Sequence, residues 1–120
     1  MNLFVFTGRL AAAPELIQTG KTPVARFRLI RNEYAGKDEH GERRERQVTV
    51  QFAAFGGVAE MLSNHAYMGD QLIVSASISN NNYTDGGGVE RYGFNFEVNE
   101  VEFGAPGPEK RRRLAAASAP

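Results

Sequence analysis

Short blocks of alternating apolar and polar residues recur along the chain and predict β-strands. The alternation covers residues 3–10, 24–32, 47–55 and 71–79. A fifth strand follows, and the pattern predicts that its inward side chains are Tyr92, Phe94, Phe96 and Val98. The inward parity then changes at Val101, so we expect a bulge near Asn99.

The second and third strands have one apolar and one polar face. Ala25, Phe27 and Leu29 alternate with Arg26 and Arg28, which predicts a core face and an outward basic face. In the third strand the side chains expected to face away from the core are Gln47, Thr49, Gln51 and Phe55.

Residues 58–68 are the one segment with apolar residues at helical spacing, namely Val58, Met61, Leu62 and Ala66. Gly56-Gly57 precedes this predicted helix and Gly69 ends it. Three strands, a helix and two more strands is the order of an all-β, five-stranded OB-fold Greek-key barrel with one helix between strands 3 and 4. The apolar first strand has an edge to pair and surface to bury, which favours a symmetric assembly of identical chains.

The chain of 120 residues is long enough for a single core, and we assign residues 1–103 to this barrel. Residues 104–120 are rich in Gly, Pro, Ala and Ser around the basic run Lys110 to Arg113, so we expect a disordered basic tail.

The composition argues against several classes of function. The absence of Cys excludes disulfides, thiolate metal sites and cysteine nucleophiles. His40 and His65 lack companions at ligand spacing, so we expect no metal and no cofactor. No Ser/His/Asp set or phosphate-cradling loop can be assembled, so an enzyme is disfavoured. The chain has no apolar run of membrane-spanning length and no secretory start, which predicts a cytoplasmic protein.

The formal net charge is zero, but the charges are segregated along the chain. Residues 1–31 hold five basic residues against one acidic residue, whereas residues 47–103 hold one basic residue against seven acidic residues. Three of the basic residues, Arg26, Arg28 and Arg31, are expected on one strand face, where a phosphate track would relieve their mutual repulsion. A solvated face is the alternative.

Aromatic residues stand where strands run into polar loops. Tyr34 and Tyr83 lie at such loop entrances, and Phe55 faces outward at the end of its strand. Exposed rings of this kind favour a flat partner such as a nucleobase. A tyrosine packed against its own loop, or a phenylalanine beneath the helix start, is the competing interpretation.

A series of short motifs in fixed order resembles the bacterial single-stranded DNA-binding proteins over roughly residues 2–103. They are Thr7-Gly8-Arg9-Leu10, Pro14-Glu15, Val24-Ala25-Arg26-Phe27, Phe55-Gly56-Gly57-Val58-Ala59-Glu60, Gly69-Asp70, Tyr83-Thr84-Asp85-Gly86 and Arg91-Tyr92. The resemblance implies a barrel, usually tetrameric, over which single-stranded DNA wraps.

The resemblance also implies functional positions. Tyr34, Phe55 and Tyr83 fall where the family stacks bases, whereas Thr49 stands where many members have a stacking Trp. Further DNA contacts are expected from the strands and long loops, from Arg26, Arg28, Arg31, Arg43, Arg44, Arg46, Arg91 and Tyr92. Arg43, Arg44 and Arg46 lie among Glu39, Glu42 and Glu45, so a self-paired loop without a ligand is also open.

The tail departs from the family pattern, since many bacterial members end in an acidic tail with a hydrophobic tip that recruits other proteins. Recruitment by that route is not expected here, and short versions of this kind are typical of mobile elements. The basic run from Lys110 to Arg113 has three open interpretations: a tether for the DNA backbone, a strap over Glu97, Glu100 and Glu102, or a solubility tail.

The sequence therefore predicts a non-enzymatic protein that binds and protects single-stranded DNA, with little sequence preference, in replication, recombination or repair. The alternative is a barrel of the same fold that serves as a protein-interaction or primosome-type accessory module with weak DNA binding. The missing Trp at Thr49 and the uncharged end of the fourth strand, Ser79 to Asn82, favour that alternative.

Overall fold

The computed structural model describes residues 1–18 and 20–118 of the chain. Its elements, in chain order, are β1 Phe4–Leu10, β2 Glu15–Ile17, β3 Val24–Lys37, β4 Arg43–Phe55, α1 Gly57–His65, β5 Gln71–Asn80, β6 Tyr83–Thr84, β7 Glu90–Arg91, β8 Phe94–Phe103 and α2 Pro108–Ser118. No helix in this part of the chain is long and apolar enough to span a membrane.

The predicted five-stranded barrel is confirmed, with β1, β3, β4, β5 and β8 as its wall. The sheet runs β1-β5-β8-β4-β3-β2, and β1 closes it by also pairing with β3 at Arg9 opposite Ile30 and Leu10 opposite Leu29. The short strands β6 and β7 form a separate hairpin between β5 and β8. Helix α1 follows β4, at the place in the chain order that the pattern predicts.

The core includes the side chains that the alternation assigned to the inner faces of β3 and β4, together with residues of β1, α1 and β5. Phe27, Leu29, Phe52 and Val74 are almost fully buried. Phe52 stacks on Phe27 with ring centroids 5.4 Å apart, and Phe4, Phe6 and Phe96 surround it at 6.0–6.3 Å. Burying a side chain of this size contributes about 1.5–3 kcal/mol, so this cluster is a large part of what holds the barrel closed.

The fifth barrel strand, β8, follows the predicted pattern only in part. The bulge is confirmed at Asn99, because Ser75 pairs with Glu100 while the next residue, Ala76, pairs with Val98. The expected inward orientation of Tyr92 and Phe94 is wrong, since both are exposed. Phe96 is the first residue of β8 that packs against the core; Phe94 pairs with Asn80 at the far end of β5, and Tyr92 precedes the strand.

Helix α1 is shorter than the spacing predicts and ends at His65 rather than at residue 68. Ala66 already has extended backbone, and a turn closed by Asp70 follows. In that turn the Tyr67 N–H donates to Oδ2 of Asp70 at 3.0 Å. The side chain of Asp70 thus competes with helical hydrogen bonding at the C-terminus of α1.

The composition predicts disorder for residues 104–120, but residues 108–118 form helix α2. The described part of the chain therefore has two helices, whereas the sequence predicts one. Pro108 begins α2, and Glu109 pairs with Arg112 at 3.4 Å and with Arg113 at 3.1 Å, one turn further on. Residues 119 and 120 lie outside the described part of the tail.

Contacts with the barrel hold α2 in place. The Gly107 N–H donates to Oδ1 of Asp70 at 2.9 Å, and Lys110 Nζ lies 3.6 Å from Oδ2 of that buried carboxylate. Lys110 also covers the ring of Phe103, and Arg113 covers the ring of Tyr67. Tertiary partners therefore stabilise a helix whose own sequence is too short to form alone. Lys110 contacts Phe103 at the end of β8 and Asp70 just before β5. The sequence suggested contacts with Glu97, Glu100 and Glu102 instead.

Candidate nucleic-acid interface

The outer face of the β3–β4 hairpin carries several of the predicted contact residues. In this antiparallel pair Tyr34 lies opposite Glu45, Arg28 opposite Gln51 and Val24 opposite Phe55. Opposite residues share a face, and so do residues two apart. The hairpin face, as we call it, therefore carries Arg26, Arg28, Tyr34, Arg43, Gln51 and Phe55. From Glu45 to Phe55 it spans about 33 Å at ~3.3 Å per residue.

The hairpin face has an exposed aromatic ring near each end. Tyr34 is 56% exposed at the end towards the loop, and Phe55 is 46% exposed at the end where α1 begins. The guanidinium carbon of Arg43 lies 5.1 Å from the centroid of the Tyr34 ring, and its Nε lies 3.5 Å from Glu45. A cation in this position fixes the ring in an outward orientation without burying it.

Arg26 and Arg28 lie between the two rings. Both are exposed, and neither has an acidic partner within 4.0 Å in the part of the chain that the structure describes. Arg26 lies between Ala53 of β4 and Glu15 of β2, and the Glu15 carboxylate forms no ion pair with it in the described residues. The middle of the hairpin face thus presents two cations to solvent.

Arg31 does not share this face, so the expectation of a three-arginine row is wrong. The pairing of β3 with β4 runs without a shift from Arg28 to Arg31, so Arg31 lies on the same side of the strand as Leu29. Nε of Arg31 lies 3.4 Å from Glu33, and Nη1 donates to the Thr7 carbonyl at 3.4 Å. Residues three apart on a strand point to opposite sides, which is the reason.

The arginines that the sequence assigned to the loop before the third strand lie instead at the start of β4, and they divide in the same way. Arg43 lies on the hairpin face, whereas Arg46, opposite Glu33, and Arg44 point to the other side. All three are exposed because the hairpin extends past the barrel at this end.

Tyr83, Arg91 and Tyr92 lie on or next to the separate β6–β7 hairpin. Tyr83 is opposite Arg91, and Nε of Arg91 donates to Oδ2 of Asp85 at 2.9 Å. The other oxygen of Asp85 accepts the Gly87 and Val89 N–H groups. The backbone N–H of Val89, then Arg91, hold the pKa of Asp85 below its ordinary 3.8.

The rings of this hairpin are exposed, Tyr83 by 57% and Tyr92 by 74%. The Tyr92 hydroxyl donates to Oε2 of Glu90 at 2.7 Å, which raises the pKa of Tyr92 above its ordinary 10.0. The hairpin therefore offers two aromatic surfaces and a cation already engaged by Asp85.

The structure also exposes an aromatic residue that the sequence pattern assigned to the core. Phe94 is 66% exposed and lines the same groove as Phe55. Gly93 directly precedes Phe94, and it is the sequence signal that could have shown that the strand begins only at Phe94. No group of three or more His, Asp or Glu that could hold a metal occurs among the residues described.

Comparison with known proteins gives consistent matches. The model of the single-strand binding protein family matches residues 1–104. The chain is 34% identical over 105 residues to a "Single-stranded DNA-binding protein" of Clostridium perfringens; the match covers 86% of this chain and 65% of that protein. The chain therefore spans just under two thirds of the length of this relative.

Among solved structures, a chain described as "Plasmodium falciparum SSB complex with ssDNA" superposes with a TM-score of 0.74. The match covers 88% of this chain and 96% of that one, at 15% sequence identity. At this identity the likeness establishes the barrel fold.

Proposed function

Since this chain belongs to the single-strand binding protein family, we propose that it binds single-stranded DNA with little sequence preference and protects it during replication, recombination or repair in the cytoplasm. It covers the DNA strand and does not act as an enzyme. It forms a symmetric assembly, for which we favour a tetramer over a dimer.

The hairpin face carries the proposal. Bases stack on Tyr34 and Phe55, while phosphates lie along Arg26 and Arg28. Stacking of a base on an aromatic ring contributes about 1–3 kcal/mol in proteins that bind single strands, and every base has such a face. Two or three platforms and a few phosphate contacts therefore give useful affinity without reading a sequence.

Two hairpin ends close over the bound strand. The start of β4 brings Arg43, Arg44 and Arg46, and the β6–β7 hairpin brings Tyr83, Arg91 and Tyr92. A phosphate that approaches Arg91 competes with Asp85 for the same guanidinium, so the hairpin exchanges an internal ion pair for one with DNA. Arg31 contributes from the opposite side of β3 and belongs to the contact surface only if the strand wraps around the hairpin.

Titration of a fluorescein-labelled oligothymidine of about 30 nucleotides, long enough for one OB-fold site, tests the proposal by anisotropy. We expect binding that weakens steeply as salt rises from about 50 to 300 mM, because phosphate contacts release counterions. A duplex of the same length is the matched control. Its bases are stacked on one another and cannot stack on the aromatic rings of the protein, so it should bind more weakly. A loss of less than about twofold over that salt range contradicts the phosphate track.

The rival function is a protein-interaction module. It predicts weak affinity for oligothymidine together with retention of a replication helicase or recombinase in a pull-down. Strong salt-dependent DNA binding without such retention rejects it.

A further inference from the structure

The junction of β4 and β8 is sparsely paired. These strands run parallel and pair at a single register position, Ala53 opposite Glu97, whereas β8 pairs with β5 at nine positions. A groove of about 450 Å³ opens along this junction. Its lining includes Arg26, Gln51, Phe55, Phe94, Asn95 and Glu97, and we call it the seam groove.

Aromatic rings line much of the seam groove. Phe52 and Phe96, which also line it, meet edge to face with centroids 6.0 Å apart and connect it to the core. Phe55 and Phe94 keep large exposed fractions next to them. Exposed rings beside a groove mark a binding surface more often than isolated apolar residues do.

The charges at the groove are arranged across three strands. Arg26 lies opposite Ala53, and Ala53 lies opposite Glu97, so a methyl side chain separates a cation from a carboxylate. With strands ~4.8 Å apart, the two charged residues are about 10 Å apart at their Cα atoms. A phosphate is attracted to the Arg26 side and repelled from the Glu97 side, whereas a neutral ring system is accepted between them.

The seam groove also has hydrogen-bonding side chains without net charge. Gln51, Asn81 and Asn95 contribute to its lining. Each amide can both donate and accept, so each can pair with the edge of any base. The volume lies within the range of small-ligand clefts and is sufficient for a nucleobase with its sugar.

We propose that the seam groove holds a nucleobase of the bound single strand, with Phe94 as an additional stacking ring. The backbone then follows Arg26 and Arg28, and the base turns away from it into the groove. The inference rests on the proposed function and adds a subsite to the hairpin face.

Substitution of Phe94 provides the first test. Phe94→Ala should weaken binding of oligothymidine about fivefold to a hundredfold, while Phe94→Trp should retain most of the affinity because it keeps an aromatic face. Met68→Ala is the control, because Met68 is similarly exposed but does not line the seam groove. Thermal unfolding and sedimentation of each variant identify changes in stability or assembly.

Photocrosslinking gives an independent readout. Oligothymidine in which one thymidine is replaced by 5-bromodeoxyuridine is irradiated on the wild-type protein, and the modified residue is located by tandem mass spectrometry. We expect adducts at Phe94 that disappear in Phe94→Ala. Adducts confined to Tyr34 and Tyr83, together with unchanged affinity of Phe94→Ala, overturn the subsite and leave the proposed function intact.

Two other results also overturn the subsite. A shift of Phe94→Ala to a smaller assembly, with the per-subunit affinity unchanged, assigns the groove to a contact between subunits. Wild-type protein that fails to bind oligothymidine at about 50 mM salt rejects the proposed function and the subsite together.

Discussion

The guanidinium of Arg43 covers the ring of Tyr34, with 5.1 Å between its carbon and the ring centroid. One face of the ring is therefore occupied by a cation and the other is open to a base. Tyr34→Ala should weaken binding of oligothymidine by about 1–3 kcal/mol, fivefold to a hundredfold, at every salt concentration. Tyr34→Phe should bind nearly as wild type, because it keeps the ring. Equal loss in both variants would show that the hydroxyl rather than stacking matters.

Arg28 should act through charge. Arg28→Ala should lower the slope of log affinity against log salt by about 0.7, the increment for one phosphate on a single strand. The control Arg111→Ala removes an equal charge from α2, a helix that contacts Tyr67 and Phe103 instead of the hairpin face. The same decrease in slope for both variants would mean that net charge, not position, governs binding.

Asp85 organises the β6–β7 loop through a carboxylate that must stay ionised. Because hydrogen bonds from Val89 and Arg91 lower its pKa in the folded hairpin, its stabilising contribution is complete above 3.8 and is lost as pH falls through the lowered value. Carboxyl NMR should give a midpoint below 3.8. In Arg91→Ala the midpoint should rise but stay lowered, since the Val89 and Gly87 N–H groups remain. A midpoint at 3.8 in the wild type contradicts this geometry.

Tyr92 should ionise above the ordinary pKa of a tyrosine, 10.0. Its hydroxyl donates to Glu90, which raises its pKa above 10.0, so the neutral phenol and its hydrogen bond are lost only as pH rises through that raised pKa. The difference in tyrosinate absorbance between the wild type and Glu90→Gln should show a step above 10.0 in the wild type that moves to lower pH in the variant. An unchanged titration curve in that variant would place the hydrogen bond elsewhere.

Gly107 allows α2 to approach the barrel. A Cβ at this position would lie 2.5 Å from the Gly69 carbonyl carbon. The contact is with backbone rather than with the end of a flexible side chain, so α2 or the Gly69 segment would have to move. Gly107→Ala should cost about 1–3 kcal/mol and release α2, seen as faster trypsin cleavage after Lys110 to Arg113. Gly86→Ala is the matched control, since nothing lies within 4 Å of its Cβ position. Equal protection of α2 in both variants would refute close packing at Gly107.

Alternation alone identified the inner faces of β3 and β4, because a strand with one buried side must repeat its apolar residues every second position. The same rule located the bulge at Asn99, where the parity changes. The aromatic candidates Tyr34, Phe55 and Tyr83 could also be found from the sequence, since each is an apolar ring at the polar end of a strand. All three prove exposed, as predicted.

Other features were outside the reach of the pattern. Periodicity gives the face of a residue but not how far the barrel wall extends, so Phe94 was assigned to a core that ends at Phe96. Helix α2 is anchored by the carboxylate of Asp70, which accepts the Gly107 N–H from 37 residues away in the chain. Arg113 likewise covers Tyr67 from far along the chain, and Lys110 covers Phe103 of the barrel wall, so composition alone predicted disorder there.

By itself the sequence determined the order of the strands, their inner faces and the exposed rings at their ends, because these follow from local periodicity and the chemistry of single residues. Only the tertiary structure decided which strands meet at the seam groove, that Arg31 reaches the Thr7 carbonyl, and where α2 docks. Those features depend on groups far apart in the chain, whose contacts form only when the barrel closes.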